Sequence, residues 1–158
     1  MKKINIDNEE SILGIYWKAS HCVYDCRYHI VWITKYRQKV LDVTIQKRLS
    51  ELLMEVCAEL NVKLLSLGLE EDHVHMYVSI PVVLAIPMIV QTLKGRTSFK
   101  LRREFDKHIR RYYWGKKALW AVGYFVATVG EVTHDTIKKY VENQGKADIE
   151  SECVQFKL

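Results

Sequence analysis

The sequence predicts a single α+β domain of the ferredoxin-like type, in which a four-stranded antiparallel sheet carries two helices on one face. Four segments rich in β-branched and aromatic residues alternate with two segments of helical periodicity, in the order β-α-β-β-α-β. The length of 158 residues suits one domain with its own core. In this topology the first and third strands are neighbours in the centre of the sheet. The sequence adds a further helix after the last strand.

The first half of the chain supplies a strand, a helix and a hairpin. Residues 28–34 are rich in aromatic and β-branched residues, which predicts a strand. Over residues 44–60 the apolar side chains recur at steps of three and four, which predicts an amphipathic helix. Residues 62–69 and 73–80 predict two more strands. Because only a short acidic turn separates them, we expect an antiparallel hairpin.

The second helix is predicted over about residues 85–105. Pro87 lies in its first turn, where proline is tolerated. Gly95 interrupts the helix and predicts either a bend or a closely approached backbone.

The remainder of the chain consists of a linker, a strand and the additional helix. Residues 110–120 are a basic and aromatic linker, 123–129 predict the fourth strand, and 134–143 predict the last helix. These assignments divide the chain into an N-terminal extension, a domain and a C-terminal tail, at residues 1–22, 23–145 and 146–158.

The composition is that of a globular protein outside the membrane. Apolar residues make up 49% and charged residues 27%, which argues against disorder. The longest apolar run, 80–90, is interrupted by Pro81 and Pro87, so no transmembrane helix is predicted. The first ten residues have a basic start without an apolar segment behind it and do not form a secretory signal. We therefore expect a cytoplasmic location.

The four cysteines are expected to be reduced in that compartment. Cys22 and Cys26, with His21 and His29 nearby, raise the alternative of a structural zinc site. Their spacing does not match a zinc knuckle, and no second cysteine pair follows.

Positive charge is concentrated in one part of the chain. Residues 94–117 contain ten basic and two acidic side chains, within a chain whose net charge is +5. Such a block indicates a polyanionic partner, although a solvated helix face is an equal alternative. Residues 35–39 are a second basic patch, with Tyr36 inside it, and suit a nucleic-acid backbone with a base stacked on the ring.

The segment His73-Val74-His75 follows a polar turn and begins a predicted strand. Residues two apart in a strand point to the same face, so both imidazoles are expected on one side. Neutral imidazole binds several divalent ions, which makes the pair a candidate metal site. Two polar positions on a solvent-facing strand are the alternative.

Tyr140 and Gln144 are four residues apart in the last predicted helix and share a face. If this helix docks over the open sheet face, Gln144 could supply a third ligand, with Tyr140 beside the ion. Tyrosine can act as a nucleophile once its proton is removed. The chain contains nine tyrosines, and physical reasoning alone does not select one of them.

The histidine pair resembles the HUH signature, and five segments together resemble the single-tyrosine insertion-sequence transposases that move as single-stranded DNA. These segments cover the chain from Val23 to Gln144 in the order found in that family: 28–37, 73–81, 93–98, 119–126 and 140–144. Residues 82–86 depart from the family pattern, since they are more apolar than the polar residues expected there.

The resemblance implies a ferredoxin-like homodimer that binds single-stranded DNA with hairpin-forming ends. It implies cleavage with Mg²⁺ or Mn²⁺ through a 5′-phosphotyrosine, with release of a 3′-hydroxyl. Carried over by position, Tyr140 is the nucleophile, and the ion is held by His73, His75 and Gln144. The DNA contacts expected from the basic segments are Lys35, Arg37, Lys94 and Arg96. In the family the tyrosine helix can reach the metal site of the partner subunit.

Two alternatives stay open beside this interpretation. A non-catalytic single-stranded nucleic-acid-binding module could stack bases on sheet aromatics such as Trp32 and Tyr77, although the RNP signature is absent. A relative retained by a host for processing repeated DNA hairpins would have the same site.

Overall fold

The computed structural model describes residues 16–114 and 118–129. In chain order the elements are β1 (Trp17–Ala19), β2 (Cys22–Tyr24), β3 (Arg27–Ile33), α1 (Val43–Glu59), β4 (Lys63–Leu69), β5 (His73–Ser79), α2 (Ile86–Glu104), α3 (Asp106–Ile109) and β6 (Phe125–Thr128). The order from β3 to β6 is the predicted β-α-β-β-α-β, with the short α3 added after the second helix.

The main sheet has four antiparallel strands in the order β4-β5-β3-β6. The central position of β3 and β5 confirms the prediction for the first and third strands of the motif. Their register pairs Val31 with His75 and Ile33 with His73. The pairing of β4 with β5 shifts between Leu64 and Ser66, where the ladder is irregular.

The hydrophobic core lies between one face of this sheet and the two long helices. Alternate residues of β5, such as Val74 and Met76, are fully buried in it together with Leu49 of α1 and Leu93 of α2. Successive side chains of a strand point to opposite faces of the sheet. His73 and every second residue after it in β5 therefore lie on the face away from the helices. The ferredoxin-like architecture is thereby confirmed.

Helix α1 has both of its ends capped. Asp42 accepts a hydrogen bond from the backbone N–H of Ile45 at 2.9 Å and begins the helix. At the other end Asn61 adopts a φ of 55°, and the N–H of Val62 donates to the carbonyl of Cys57 at 2.8 Å. This is the left-handed termination that asparagine tolerates better than most residues.

A small hairpin of β1 and β2 precedes the sheet and was not predicted. It is fastened to the main sheet by Trp17, whose indole N–H donates to the Ser79 hydroxyl at 2.9 Å. The ammonium nitrogen of Lys63 lies 4.2 Å from the Trp17 ring centroid. Part of the expected extension therefore packs on the domain.

Helix α2 continues through Gly95 as one element. Outside the backbone of α2 and the two adjacent residues, a Cβ built at Gly95 would meet no heavy atom of residues 16–114 and 118–129 within 4 Å. The predicted interruption is therefore wrong, and within the described ranges no other segment of this chain closely approaches the glycine.

The helix predicted at 134–143 and the tail at 146–158 lie outside the described residues. None of the helices that the structure describes is both long and apolar enough to span a membrane.

Candidate active site

The two motif histidines lie at the start of β5, on the sheet face opposite the helices. Both are buried, with 6% of His73 and 7% of His75 exposed. Their ring centroids are 4.8 Å apart, and the ring planes meet at 79°. The structure thus brings the two imidazoles together.

His73 is held by Asp72, the last residue of the turn before β5. The Nδ1 atom of His73 lies 2.5 Å from Oδ1 of Asp72, and the second carboxylate oxygen accepts from Nε of Arg37 at 3.2 Å. Partial burial opposes ionisation of Asp72, but the contacts with His73 and Arg37 outweigh it and lower its pKa. An ionised Asp72 accepts the Nδ1 proton of His73, which leaves the lone pair of that ring on Nε2.

His75 is held by a second histidine, on the neighbouring strand. Nδ1 of His75 lies 3.1 Å from Nε2 of His29, and the rings stack at a centroid distance of 5.3 Å and an angle of 15°. Burial, followed by the nearby His73 and His29, lowers the pKa of His75 to about 3. His75 is therefore neutral at pH 7, the form that binds metal ions. Sequence reasoning had considered His29 only for zinc.

The arrangement fits a divalent ion. Within the part of the chain that the structure describes, Nε2 of His73 and Nε2 of His75 are buried and have no hydrogen-bond partner. A buried nitrogen without a partner is costly unless something else binds it. Metal-ligating histidines usually have their other ring nitrogen held by a carboxylate or similar group, as Asp72 and His29 hold these two.

The first two predicted DNA contacts, Lys35 and Arg37, lie in a tight turn between β3 and α1, beside Asp72. About half of the Arg37 side chain is exposed, although its Nε binds Asp72. The turn therefore places positive charge next to the histidine pair. Contact of either side chain with DNA stays a prediction.

Lys94, the third predicted DNA contact, has hydrogen-bond partners within the protein. Its ammonium group donates to the carbonyls of Ala121, Val122 and Gly123 at 2.7, 2.9 and 2.9 Å. Burial lowers the pKa of Lys94. Nearby, the indole N–H of Trp120 donates to the Thr97 hydroxyl at 3.1 Å. Helix α2 thus fixes the segment that leads into β6.

The fourth, Arg96, forms an ion pair with Glu59 of α1. Similar pairs join Lys100 to Glu55 at 3.0 Å and Arg48 to Glu104 at 2.8 Å. The carboxylates of Glu59 and Glu55 on α1 therefore balance part of the basic block, whereas in the Arg48–Glu104 pair the carboxylate belongs to α2. A role of Lys94 or Arg96 in DNA binding stays a prediction.

The predicted nucleophile Tyr140 and the predicted third ligand Gln144 lie outside the described residues. The alternative of base stacking on Trp32 and Tyr77 is wrong, because each of these side chains is only 1% exposed. Tyr77 instead accepts a hydrogen bond from Arg27 at 3.2 Å.

Comparison with known families identifies the class of protein to which this fold and this histidine pair belong. The family model described as IS200-like transposase matches residues 22–144, and the chain belongs to this family. It is therefore a transposase by family, as the resemblance predicted.

Individual relatives agree with this membership. The ISDra2 transposase TnpA of Deinococcus radiodurans is 32% identical over 127 residues, which cover 80% of this chain and 89% of that protein. The transposase of insertion sequence IS200 from Salmonella typhimurium is 30% identical over 129 residues, covering 82% and 83%.

Solved structures support the same fold. A transposase crystal structure from Deinococcus radiodurans R1 has a TM-score of 0.66 and 33% identity, covering 83% of this chain and 99% of that one. A REP-associated tyrosine transposase bound to a REP hairpin has a TM-score of 0.54 at 11% identity, covering 80% and 69%. The second likeness concerns the fold alone.

Proposed function

We propose that this transposase cleaves and rejoins single-stranded DNA ends of a mobile element through a 5′-phosphotyrosine intermediate, with Mg²⁺ or Mn²⁺ in its site. The observation that carries the proposal is the pair of buried Nε2 atoms of His73 and His75, which have no hydrogen-bond partner among the described residues. Such a pair is expected of a metal site and has no role in a purely structural sheet or in a non-catalytic binding module.

The ion would be held by His73 and His75, with Gln144 as the third ligand. When bound, it would polarise the scissile phosphate and offset the charge on its oxygens. The protein's own part is to orient both imidazoles so that their Nε2 atoms are available to the ion. Asp72 and His29 do this through the Nδ1 atoms.

Tyr140 would supply the nucleophile. Its phenolic oxygen loses a proton and forms a bond to phosphorus, while the bond from phosphorus to the 3′-oxygen breaks and that oxygen takes a proton. The new phosphotyrosine retains the phosphodiester bond energy, so a later 3′-hydroxyl can rejoin the strand by the reverse step without ATP.

The DNA partner would be a single strand whose ends fold into hairpins, bound by a homodimer. One solved relative of this fold is bound to a REP hairpin. The charge carried by Lys35 and Arg37 beside Asp72 suits a phosphate backbone close to the histidine pair.

A labelled-strand assay tests this proposal directly. Single-stranded oligonucleotides from the flanks of the gene for this chain, labelled at either the 5′ or the 3′ end, are incubated with protein and Mn²⁺. Denaturing gels then show whether label migrates with protein. We expect the 3′ label to migrate with the wild type and not with Tyr140→Phe, because the 3′ fragment carries the 5′-phosphate.

Other results would reject the mechanism. Cleavage without a protein adduct would indicate a metal nuclease in which water attacks and Tyr140 has been misassigned. Binding without cleavage at all candidate ends would favour the non-catalytic module.

His73→Ala and His75→Ala should each abolish adduct formation while leaving oligonucleotide binding in place.

A further inference from the structure

The turn over Lys35–Arg37 has an unusual backbone. Tyr36 has φ 59° and ψ 21°, and Arg37 has φ 51°. Both residues have backbone angles in the left-handed region, which residues other than glycine rarely adopt. Outliers of this kind cluster at functional sites when the surrounding structure enforces them.

The surroundings do enforce this turn. The N–H of Thr34 donates to the carbonyl of Asp72 at 2.8 Å, and the N–H of Lys35 donates to the carbonyl of Leu119 at 2.8 Å. Arg37 adds its contact to the Asp72 carboxylate. The turn is thus anchored to the residue that orients His73 and to the segment that leads into β6.

The strained backbone presents an aromatic ring to solvent. The Tyr36 residue is 64% exposed, and the ammonium nitrogen of Lys35 lies 5.4 Å from the ring centroid. A ring this exposed gains little from burial in the core. An exposed aromatic face next to cationic groups is the arrangement that binds a nucleic-acid base and its phosphate.

We propose that Tyr36 is a stacking platform for one base of the single-stranded DNA, beside the His73–His75 site. This inference rests on the proposed function and assigns a binding residue within it. Stacking is tolerant of base identity, because every base offers a π face. The platform would therefore fix the position of the strand relative to the histidine pair without reading its sequence.

The test combines substitutions at Tyr36 with removal of single bases. Oligonucleotides that the wild type binds are made with one abasic site at each position in turn, and affinity is measured by fluorescence anisotropy. Tyr36→Ala should weaken binding of the intact strand by between about 5-fold and about 150-fold. Tyr36→Phe should bind like the wild type, since the ring face remains.

One abasic position should weaken wild-type binding and have no further effect on Tyr36→Ala, because both changes remove the same contact. Tyr36→Gly should lose affinity like Tyr36→Ala but unfold at or above the wild-type temperature, since glycine relieves the positive φ. A loss of binding would then not reflect loss of fold.

Phe99 offers a matched control on α2. It is 62% exposed, and the guanidinium carbon of Arg103 lies 5.4 Å from its ring, but its backbone is helical. Phe99→Ala should bind as the wild type does. Unchanged affinity of Tyr36→Ala, with wild-type adduct formation intact, would overturn the stacking role alone. Failure of the wild type to bind any flank oligonucleotide would overturn the proposed function as well.

Discussion

At the scale of single residues, the proposed metal site depends on hydrogen bonds made by the Nδ1 atoms, which would not face the ion. If Nδ1 of His75 donates to Nε2 of His29, the His75 lone pair is on Nε2 and is available to a metal. With the opposite tautomers, Nε2 of His75 would carry a proton and could not bind one. A metal ion bound at Nε2 would therefore select one arrangement of this histidine pair, and His29 would permit it by accepting the hydrogen bond from Nδ1 of His75.

Substitution of His29 distinguishes its role as a hydrogen-bond acceptor from the packing of its ring against His75. His29→Phe keeps an aromatic ring against His75 and removes the acceptor, so we expect the Mn²⁺ dissociation constant to rise by about 10-fold to 100-fold. His29→Gln restores an acceptor oxygen and should recover part of the affinity. Mn²⁺ titration of the full chain, followed by electron paramagnetic resonance, measures free and bound ion without any turnover.

Phe125 provides the control for this experiment. Its ring meets His29 edge-on, with centroids 6.5 Å apart, and offers no acceptor. Phe125→Leu should leave Mn²⁺ affinity unchanged. Equal affinities of His29→Phe and the wild type would show that His75 is oriented by packing alone.

The sequence identified the two histidines but not the residues that hold them. The motif was visible because its members are adjacent in the chain and a strand places residues two apart on one face. Val31 pairs directly with His75, and His29 lies two residues before Val31 on the same strand. The two histidines therefore meet diagonally across the strand pair. That contact depends on the register, which the composition of a strand does not determine. The acidic turn containing Asp72 was recognised only as a turn.

At the scale of elements, the strands and helices with a regular repeat of apolar residues were predicted most accurately. The strands β3, β4, β5 and β6 and the helices α1 and α2 lie within about two residues of their predicted limits, because each shows a clear repeat. The strands β1 and β2 have three residues each, too few to show an alternation. The interhelical ion pairs were also missed, because acidic residues of α1 and basic residues of α2 are distant in sequence.

Helix α2 carries a glycine whose cost to stability can be measured. Glycine in a helix interior is about 1 kcal/mol less favourable than alanine. Apart from the backbone of α2 and the two neighbouring residues, no heavy atom of the described residues lies within 4 Å of a Cβ built at Gly95, so alanine would create no clash there. We expect Gly95→Ala to raise the free energy of unfolding by about 0.5 to 1 kcal/mol in urea denaturation.

Thr92→Ala, on the same helix, controls for general effects of alanine. The Thr92 hydroxyl donates to the carbonyl of Met88 at 2.8 Å, a hydrogen bond within the same helix. Its effect should be smaller than that of Gly95→Ala, because threonine costs less than glycine in a helix. A less stable Gly95→Ala variant would mean that this side of α2 is packed against another surface in solution.

At the scale of the whole molecule, several chain segments converge at one end of the sheet. The turn before β5, the turn after β3 and the segment before β6 are joined there by Thr34, Lys35 and Arg37. The two motif histidines, the cationic turn and the exposed Tyr36 ring therefore lie at the same end of the sheet. This convergence brings together three of the five family segments, 28–37, 73–81 and 119–126, which are far apart in sequence.

The arrangement of active sites between two subunits can be tested by mixing inactive variants. Tyr140→Phe retains the metal ligands but has no nucleophile, whereas His75→Ala retains the nucleophile but has an impaired metal site. Each should form no adduct alone. If Tyr140 reaches the site of the partner subunit, a mixed homodimer contains one complete site, and random reassortment should restore about one quarter of wild-type adduct formation.

The position of the adduct makes this experiment decisive. With one variant extended by a tag, a gel separates the two chains, and labelled DNA should be attached only to the His75→Ala chain, since only that chain has Tyr140. A Tyr140→Phe, His75→Ala double variant mixed with either single variant should restore nothing. Absence of adduct after verified subunit exchange would place Tyr140 in the site of its own chain, because no mixed dimer would then combine a working nucleophile with an intact histidine pair.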